Sequence, residues 1–485
     1  MEIDDGIPLW AEVLVIAAGF IGPGGVKGLF KLAGRGGLKA AIRGAGQSIR
    51  GASRAIVTGM TRARGLASAG ARRMAQAARG MPGRIRQFLK DPVDMATGDW
   101  VDWRTDIAVP GVLPLELTRL HRSGAAGATG GFGRRWTDSW SQRLLHDAGQ
   151  DALVWLTEDG SELAFPWPGH WGDGENPLHP GWVMEVRGPE TTIRDLPSGR
   201  WWAFPTPDVE PARLALQGAR ARDALAPAND HAAPPAHVIA MGDAHGNRID
   251  LDRDPAGRLR AVRHTDGHHL RVETLPDGRY LSVDLVSDPA GADFSPIRLL
   301  TCRFDARGHL TFVDARTTGI YRYETDATGR VTRWSDGGST WSELFYDDAD
   351  RVVETRAADG LYGARFAYDD AAGTVTCLAD DSAVTTHTHD ALGRLIRCVD
   401  PEGGVTEQIW GPRGDLEAVI DPLGRRSRYT HDRFGNLTGI THPDGSTEIL
   451  DYDALGRPVA ITDALGNRWR QTRDDTGRLT AAIDP

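Results

Sequence analysis

A repeat of about 21 residues runs through the C-terminal half of this 485-residue chain and constrains its fold more than any other feature. Three residues before a recurring turn centre stands an aspartate, and this aspartate is present in nine of ten copies. A period in this range indicates a stacked array whose units can bury their apolar face only against one another. The turn centres are Gly257, Gly308, Gly329, Asp350, Gly373, Gly393, Gly414, Gly435, Gly456 and Gly477, and the aspartates include Asp390, Asp432, Asp453 and Asp474.

A second turn follows about ten residues after the first, for example Asp-Pro-Glu-Gly at 400–403. Aspartate accepts hydrogen bonds from the backbone that follows it, proline fixes φ, and glycine adopts positive φ without a Cβ clash, so both segments are typical of β-turns. Turns ten or eleven residues apart leave room for strands of about six to eight residues. We therefore expect the chain to reverse at Gly393, Gly403, Gly414, Gly424, Gly435, Gly445, Gly456 and Gly466.

The apolar positions lie two and five residues beyond the turn glycine, as in Leu437 and Ile440. This odd offset interrupts the alternation of a strand, so we expect a β-bulge or local twist just after each such turn. Two repeats would nearly fill one blade of a propeller, but propeller blades are set off by distinct loops, whereas this period is unbroken. The repeat therefore favours a mainly β fold in which antiparallel β-hairpins form one continuous, spiralling sheet.

The first 90 residues differ from the rest of the chain in charge: they carry a balance of +11, whereas the remainder carries −21. The apolar run at 7–21 is shorter than the roughly 20 residues that span a membrane, and it lacks the features of a secretory signal peptide. Apolar positions such as Val26 and Leu29 indicate a short, basic, helical N-terminal arm over 1–90. This arm is either a solvated linker or a segment that contacts a chaperone or a membrane surface. Aromatic residues that stack on bases are nearly absent there, so no nucleic-acid binding is expected.

The middle of the chain is rich in tryptophan. Ten of the fifteen tryptophans fall between Trp100 and Trp202, which predicts a well-packed β region over 91–240, followed by the repeat region over 241–485. The stretch 205–235 is rich in alanine and proline and predicts an exposed loop. Three cysteines are too few for a disulfide framework, so burial must hold the fold together.

The segment Tyr452-Asp453-Ala454-Leu455-Gly456-Arg457 resembles the tyrosine–aspartate (YD) repeats of the Rhs and teneurin-like families. Two segments further upstream, 110–119 and 131–136, resemble parts of the Rhs N-terminal region, although His121 departs from the aromatic residue usual there. The segment 91–98 resembles the opening motif of that region through Asp91, Pro92, Val93, Asp94, Thr97 and Gly98.

This resemblance implies a hollow β-cocoon whose YD sheet encloses a toxic C-terminal domain, as in polymorphic toxins of interbacterial competition, often effectors of type VI secretion. It also implies a dedicated chaperone for the N-terminal arm and a secretion spike component as partners. The aspartate-rich closing motif and the toxin of that family do not occur before Pro485. We therefore expect the open part of a cocoon, truncated at its C-terminal end. The protein is expected in the bacterial cytoplasm before export and outside the cell afterwards.

The side chains that could take part in catalysis or metal binding are explained by structural roles. Because the recurring aspartates follow the repeat, we interpret them as turn caps rather than as acid–base pairs or calcium ligands. His387 and His389 would point the same way from a strand, but His389 occupies the aromatic position of the repeat, which favours a structural role. Cys377 and Cys398 behave first as small hydrophobic residues. We find no catalytic, cofactor-binding or metal-binding constellation and expect that the chain is not an enzyme.

Three classes of function remain. The first is a structural shell segment whose partner is a downstream toxin domain. The second is a YD-repeat surface adhesion module that binds a glycan or a protein, and the third is a glycan-binding or hydrolytic propeller. The basic arm without a signal peptide favours the shell over the adhesion module, and the lack of a carboxylate pair outside the turns disfavours the propeller. The sequence predicts the shell segment.

Overall fold

A computed structural model describes residues 88–89, 93–111, 113–147, 152–166, 173–176, 179–196, 198–207, 235–287, 295–358, 363–454, 456–474 and 479–485. Within these ranges the chain consists of antiparallel β-strands and contains no α-helix, so the mainly β fold is confirmed. The helical arm predicted for 1–90 lies outside the described residues except for β1 (Phe88–Leu89), which is a strand. Most of the predicted alanine- and proline-rich loop, 208–234, also lies outside them.

Four small sheets occupy the N-terminal part of the described chain. They pair β1 with β2, β3 with β4 and β7, β5 with β6, and β10 with β9, β8 and β15. The bounds that follow β1 are β2 (Val93–Asp94), β3 (Val101–Val109), β4 (Leu115–Arg122), β5 (Thr129–Gly130), β6 (Gly133–Arg134), β7 (Trp136–Asp138), β8 (Arg143–Asp147), β9 (Ala152–Leu156), β10 (Glu162–Pro166) and β15 (Ala236–His237).

The remaining strands form a single sheet of 27 strands. They pair in the order of the chain, and the sequence of strands skips only β15, which belongs to a small sheet. The sheet begins at β11, so the predicted division at 240/241 falls inside it. Its first strands are β11 (Asp173–Asn176), β12 (His179–Arg187), β13 (Glu190–Asp195), β14 (Arg200–Pro205), β16 (Ala240–Gly242), β17 (Arg248–Arg253), β18 (Leu259–His264), β19 (His269–Thr274), β20 (Tyr280–Ser287), β21 (Ile297–Phe304), β22 (Leu310–Ala315), β23 (Gly319–Thr325) and β24 (Val331–Asp336). It continues with β25 (Trp341–Tyr346), β26 (Val352–Ala357), β27 (Ala364–Asp369), β28 (Thr374–Ala379), β29 (Val384–His389), β30 (Leu395–Val399), β31 (Val405–Trp410), β32 (Leu416–Ile420), β33 (Arg426–His431), β34 (Leu437–Thr441), β35 (Thr447–Tyr452), β36 (Pro458–Thr462), β37 (Arg468–Arg473) and β38 (Leu479–Ile483).

The turns of this sheet fall on two opposite edges because successive strands are antiparallel. The strands reverse at each of the eight glycines predicted from the sequence, and all eight glycines have positive φ. We call the edge with the turns at Gly257, Gly278, Gly308, Gly329, Asp350, Gly373, Gly393, Gly414, Gly435 and Gly456 the first-turn edge. The second-turn edge carries the turns at Gly246, Gly267, Gly403, Gly424, Gly445 and Gly466.

A β-bulge follows most first turns. In the hairpin of β35 and β36, for instance, Tyr452 pairs with Pro458 and Asp451 with Ala460, so Val459 is the extra residue. The expectation of a bulge after every such turn is wrong for β27 and β28, which pair without a register shift. The turn between them is built differently, since the Asp369 carboxylate accepts from the backbone nitrogens of Ala371 and Ala372.

The apolar core is dominated by one cluster that extends from Val93 in β2 to Cys377 in β28 and includes the fully buried Trp100, Trp136, Trp140 and Trp155. It lies where the small N-terminal sheets pack against the large sheet. A separate, smaller cluster contains Leu437, Ile440, Leu450 and Ile461. The two clusters divide the large sheet into a part that is covered by the N-terminal region and a part that packs on itself.

The large sheet winds back on itself. Arg457, in a first turn, donates from Nη1 to Nε2 of His245, in a second turn, at 3.1 Å across 212 residues of sequence. A flat sheet would hold these two turns about 19 strands apart. The contact therefore brings the first-turn edge of a late repeat onto the second-turn edge of an early one.

Candidate functional site

Most repeat aspartates organise their own turns; Asp370, whose neighbour Asp369 caps the turn instead, is an exception. Asp390 Oδ1 accepts from the backbone nitrogens of Leu392 and Arg394 at 2.9 and 2.8 Å, and its Oδ2 accepts from Arg394 Nε at 2.6 Å. Gly393 closes the turn by donating to the Asp390 carbonyl at 2.8 Å. The residue four positions after the aspartate thus supplies both a backbone and a side-chain donor.

The same arrangement recurs at the other predicted positions that the structure describes. Asp432 accepts from the backbone nitrogen and Nδ2 of Asn436, and Asp453 accepts from the backbone nitrogen and Nε of Arg457. Gly435 and Gly456 donate to the carbonyls of these aspartates. Asp474 lies directly after β37, and Gly477 lies outside the described residues.

Replacing one of these aspartates should destabilise the fold modestly. Asp432→Ala removes the acceptor for two backbone nitrogens, those of Phe434 and Asn436, and we expect it to lower the free energy of unfolding by about 1 kcal/mol. Asp432→Asn keeps an acceptor oxygen and should cost less. Denaturant unfolding of the three proteins measures this, and equal losses for both variants would contradict the capping role.

Aromatic side chains connect four of the repeats to the previous one, a role that the sequence signalled only as a recurring aromatic position. The Tyr346, Tyr368 and Tyr452 hydroxyls donate to backbone carbonyls 15 or 16 residues earlier at 2.6–2.7 Å, and the Trp410 indole does the same at 2.6 Å. The accepting carbonyls belong to Val331, Val352, Leu437 and Leu395, each the first residue of a bulged strand. The aromatic group therefore satisfies a carbonyl at the point where the bulge distorts the ladder.

Arginines after the turn glycine form a second link between repeats. The Arg330 guanidinium lies 4.9 Å from the centroid of the Tyr346 ring, and its Nη1 contacts Asp350 at 3.0 Å. Arg351 lies 4.3 Å from the Tyr368 ring. One arginine thus caps its own aspartate and also packs on the next repeat, which couples successive turns along the edge.

The segment that resembles an Rhs opening motif forms a tight turn. Val93 and Asp94 are buried, and the Asp94 carboxylate accepts from Arg122 Nη2 at 2.9 Å. Thr97 Oγ1 accepts from the Asp99 backbone nitrogen at 2.9 Å. Asp91 and Pro92 lie outside the described residues.

Gly98 docks this turn onto the first-turn edge of the large sheet. Its carbonyl accepts from the Val352 backbone nitrogen at 2.8 Å, and its φ is +68°. A Cβ atom at this position would lie 2.6 Å from Cβ of Arg351, so both the conformation and the close approach require glycine.

The glycine–tryptophan segment docks on the same edge. The Gly131 carbonyl accepts from the Tyr280 backbone nitrogen at 2.7 Å. Arg135 donates to the Thr328 carbonyl at 3.1 Å and contacts the Asp350 carboxylate at 3.2 Å. The N-terminal region therefore meets one first turn after another, from residue 280 to residue 352.

A buried ionic cluster, which we call the latch, joins β3 and β4 to the large sheet. The fully buried Arg119 contacts Asp106 through Nε at 2.5 Å, and its Nη1 donates to the Tyr323 hydroxyl at 2.7 Å. Tyr323 in turn donates to Asp102 at 2.6 Å, and Thr318 donates to Asp106 at 2.8 Å. Although burial disfavours the cation, the neighbouring acidic groups outweigh it and raise the pKa of Arg119 well above its ordinary value. The latch is thus an ion pair held away from water.

His121 serves as an aromatic ring, which accounts for its departure from the family pattern. It is fully buried between Trp100 and Trp136, with ring centroids 5.2 and 4.9 Å away. Burial lowers its pKa to about 3, so the imidazole is neutral at pH 7.

His121→Phe should make the protein less sensitive to acid. Below the ordinary histidine pKa of about 6.5, the unfolded chain takes up a proton that folded His121 accepts only near pH 3, so stability falls as pH falls. At pH 5 this amounts to about 2 kcal/mol. We expect urea unfolding at pH 7 and pH 5 to show a smaller difference in the variant than in the wild type. Because the other histidines are unchanged, identical differences would contradict the expectation.

The remaining candidate residues are buried in the sheet. His387 pairs with Cys398 across β29 and β30, and burial raises the pKa of the Cys398 thiol to about 11. Cys302, Cys377 and Cys398 are buried, and none of them forms a disulfide bond. Among the described residues, no group of three or more histidine, cysteine, aspartate or glutamate side chains could hold a metal ion. Nor does the described part of the chain contain a helix with the length and hydropathy needed to cross a bilayer.

Two family models match the chain. A domain of unknown function (DUF6531) matches residues 90–165, and the RHS Repeat matches residues 412–447 and 452–485. These ranges coincide with the segments that resemble the Rhs N-terminal region and with the last YD repeats.

Known proteins are similar over longer stretches. The chain is 30% identical over 460 residues to the probable deoxyribonuclease RhsB of Dickeya dadantii (strain 3937), an alignment that covers 88% of this chain and 29% of that protein. It is 31% identical over 376 residues to the probable deoxyribonuclease RhsA of the same organism, covering 76% and 23%. A solved structure, the crystal structure of TcdB2-TccC3-Cdc42, aligns with a TM-score of 0.37 and 12% identity over 79% of this chain and 26% of that chain. The chain thus spans less than a third of the length of the curated relatives it matches. From the repeat match and the similarity to RhsA and RhsB, the chain belongs to the Rhs (YD-repeat) family.

Proposed function

We propose that this chain is a structural shell segment of an Rhs-type toxin effector, which encloses and helps deliver a C-terminal toxin domain. The winding of the large sheet carries this proposal. Because Arg457 meets His245 on the opposite edge, the sheet follows a spiral, and a spiral wall surrounds an interior. A sheet of this kind is suited to keeping a domain apart from its surroundings.

The N-terminal region supports the same role as a cover over one end of the spiral. It meets the first-turn edge through Gly131, Arg135 and Gly98, and the latch joins it to β23. These contacts supply acceptors for backbone nitrogens beside the first turns, those of Tyr280 and Val352.

The catalytic activity of such an effector belongs, in our proposal, to its toxin domain and not to the shell. The relatives RhsA and RhsB are named probable deoxyribonucleases, and this chain aligns with less than a third of each. The aspartates, aromatic residues and arginines discussed above form the turns, the hydrogen bonds between repeats and the latch. We propose a non-catalytic role for them.

The basic N-terminal arm suggests how the effector is handled. Its charge of +11 beside a short apolar run suits a chaperone or an anionic membrane surface, and a secretion spike component is a further proposed partner. We propose that the protein resides in the bacterial cytoplasm before export, is secreted by a type VI system, and acts in interbacterial competition.

Protease protection tests the enclosure. In a chain that carries residues 1–485 together with the C-terminal toxin domain, that domain should resist a protease that cuts it readily when it is isolated. Arg119→Ala, which removes the latch, should expose it, whereas Arg322→Ala, at an exposed position of β23 beside Tyr323, should not. A toxin domain cut equally fast in the intact and isolated forms would overturn the proposal.

A further inference from the structure

Strand β29 lies where the apolar core of the large sheet is interrupted. Among the described residues, the larger cluster ends at Cys377 in β28, and the smaller one begins at Leu437 in β34. Between them, two of the most deeply buried side chains are polar: His387 is 1% exposed and Gln408 is 3% exposed. At the position of His387, the two preceding repeats carry Leu344 and Phe366, and the next repeat carries Gln408. The sheet is therefore least apolar around β29.

The hydrogen bond from an aromatic side chain to the previous repeat, which we call the aromatic tether, is missing at the same strand. His389 occupies the position of Tyr368 and Trp410, which bond to carbonyls of the previous repeat. The Nε2 atom of His389 is buried and has no hydrogen-bond partner. The strand that it would reach, β28, is the one that pairs with its hairpin partner without a bulge. The repeat at β29 thus lacks the link that holds its neighbours.

The arginine link is also missing. Arg330 and Arg351 follow the turn centre and pack on the aromatic ring of the next repeat. Thr374 stands at the corresponding position before β29. An apolar residue at the position of His387, the aromatic side chain that bonds to the previous repeat, and the arginine that packs on its ring are therefore all absent at β29.

The two histidines of β29 face no carboxylate. His387 lies between Val375 of β28 and Cys398 of β30, and His389 pairs with Leu395 of β30. The titratable groups of these two strands on this face are the thiols of Cys377 and Cys398, and burial raises the pKa of Cys398 to about 11. The nearest carboxylate in sequence, Asp390, is engaged by Arg394.

Burial lowers the pKa of His387 to about 4, and burial together with His387 lowers that of His389 to about 3. The backbone of Gly373 forms a hydrogen bond that favours the charged form of His389, but burial outweighs it, and no carboxylate on the facing strands would compensate two imidazolium charges.

We propose that β29 is an acid-sensitive seam at which the repeat sheet opens. Each histidine takes up a proton readily only after the strand separates from its neighbours and meets water. A fall in pH through the ordinary histidine range therefore favours the open form, and the effect of two histidines multiplies. Between pH 7 and pH 5 the equilibrium constant for opening should rise by about a hundredfold or more. Because each strand of a repeat array contacts only its neighbours, the opening remains local to the strands around β29.

Hydrogen–deuterium exchange on the whole chain, corrected for the intrinsic pH dependence of exchange, locates the opening. Peptides that cover β29 and β30 should lose protection on going from pH 7 to pH 5, before peptides that cover β25 and β26 or β35 and β36. If protection were lost uniformly along the sheet, or first at other strands, this measurement on the wild-type protein alone would overturn the proposal.

The double variant His387→Leu/His389→Tyr introduces the residues found at these positions in an earlier repeat, Leu344 and Tyr346, and should abolish most of the acid effect at β29. The matched control is His431→Tyr, which changes the same aromatic position in β33 and should leave the acid opening of β29 unchanged. An undiminished acid effect in the double variant, or an equal reduction by the control, would show that the two histidines do not form the seam. If the double variant fails to fold, the single variant His387→Leu should remove about tenfold of the pH effect.

Discussion

Arg119→Ala should lower the free energy of unfolding by about 3–5 kcal/mol, among the largest effects of any single substitution in the chain. The variant leaves Asp106 buried without its cation, while Asp102 keeps its ion pair with Arg104, and an uncompensated buried charge is strongly destabilising. It also removes the donor to Tyr323 and with it a connection between the N-terminal region and the sheet. Denaturant unfolding measures the loss, and hydrogen exchange should show that β3 and β4 lose protection most.

Two further variants separate the charge effect from the loss of a single hydrogen bond. Tyr323→Phe removes only the hydroxyl and should cost about 1–2 kcal/mol. Arg322→Ala, an exposed position on the same strand, should stay within about 0.5 kcal/mol of the wild type. If Arg119→Ala cost no more than Tyr323→Phe, the buried ion pair would not be what holds the region in place.

Gly131→Ala should cost about 3 kcal/mol for a different reason, namely overpacking. A Cβ atom on Gly131 would lie 1.9 Å from the Tyr280 ring, which is itself fixed because its hydroxyl donates to Asp138. The ring or the backbone must move, and the hydrogen bond between the Gly131 carbonyl and the Tyr280 nitrogen would be disturbed. Unfolding measurements, together with the near-ultraviolet circular dichroism of the surrounding aromatic cluster, report the change.

The matched control is Gly127→Ala, four residues earlier, where a Cβ atom would meet nothing within 4 Å. This variant should be nearly neutral. Similar losses for both substitutions would mean that backbone freedom, and not the contact with Tyr280, explains the glycine at 131.

Local rules made much of the large sheet predictable. The turn residues, the strand length and the bulge all follow from residues within one repeat, since the hydrogen bonds of Asp390 or Asp432 reach only four residues ahead. The exception at β27 and β28 arises where the turn spacing itself departs from 21 residues. The aromatic position was visible in the sequence, but its partner, a carbonyl in the preceding repeat, depends on the bulge geometry.

The contacts between distant parts of the chain were not predictable in this way. Arg119 and Tyr323 are 204 residues apart, and neither position departs from the pattern of its own segment in a manner that indicates the other. The winding of the sheet is set by small twists that accumulate over many strands, so no single residue encodes the meeting of Arg457 with His245. His121 was a partial exception, because a polar residue in an aromatic position signalled an unusual site, although not its neutral state.

The meeting of Arg457 with His245 also bears on how such a chain can change in evolution. The turns at Gly246 and Gly456 are separated by 210 residues, about ten repeats, and that count fixes the circumference of the wall. An insertion or deletion of one whole repeat would satisfy every local rule, yet it would place a different turn opposite His245 and change the circumference of the wall by two strands. A point substitution alters only the contacts of its own position, whereas the number of repeats sets the dimension of the spiral as a whole.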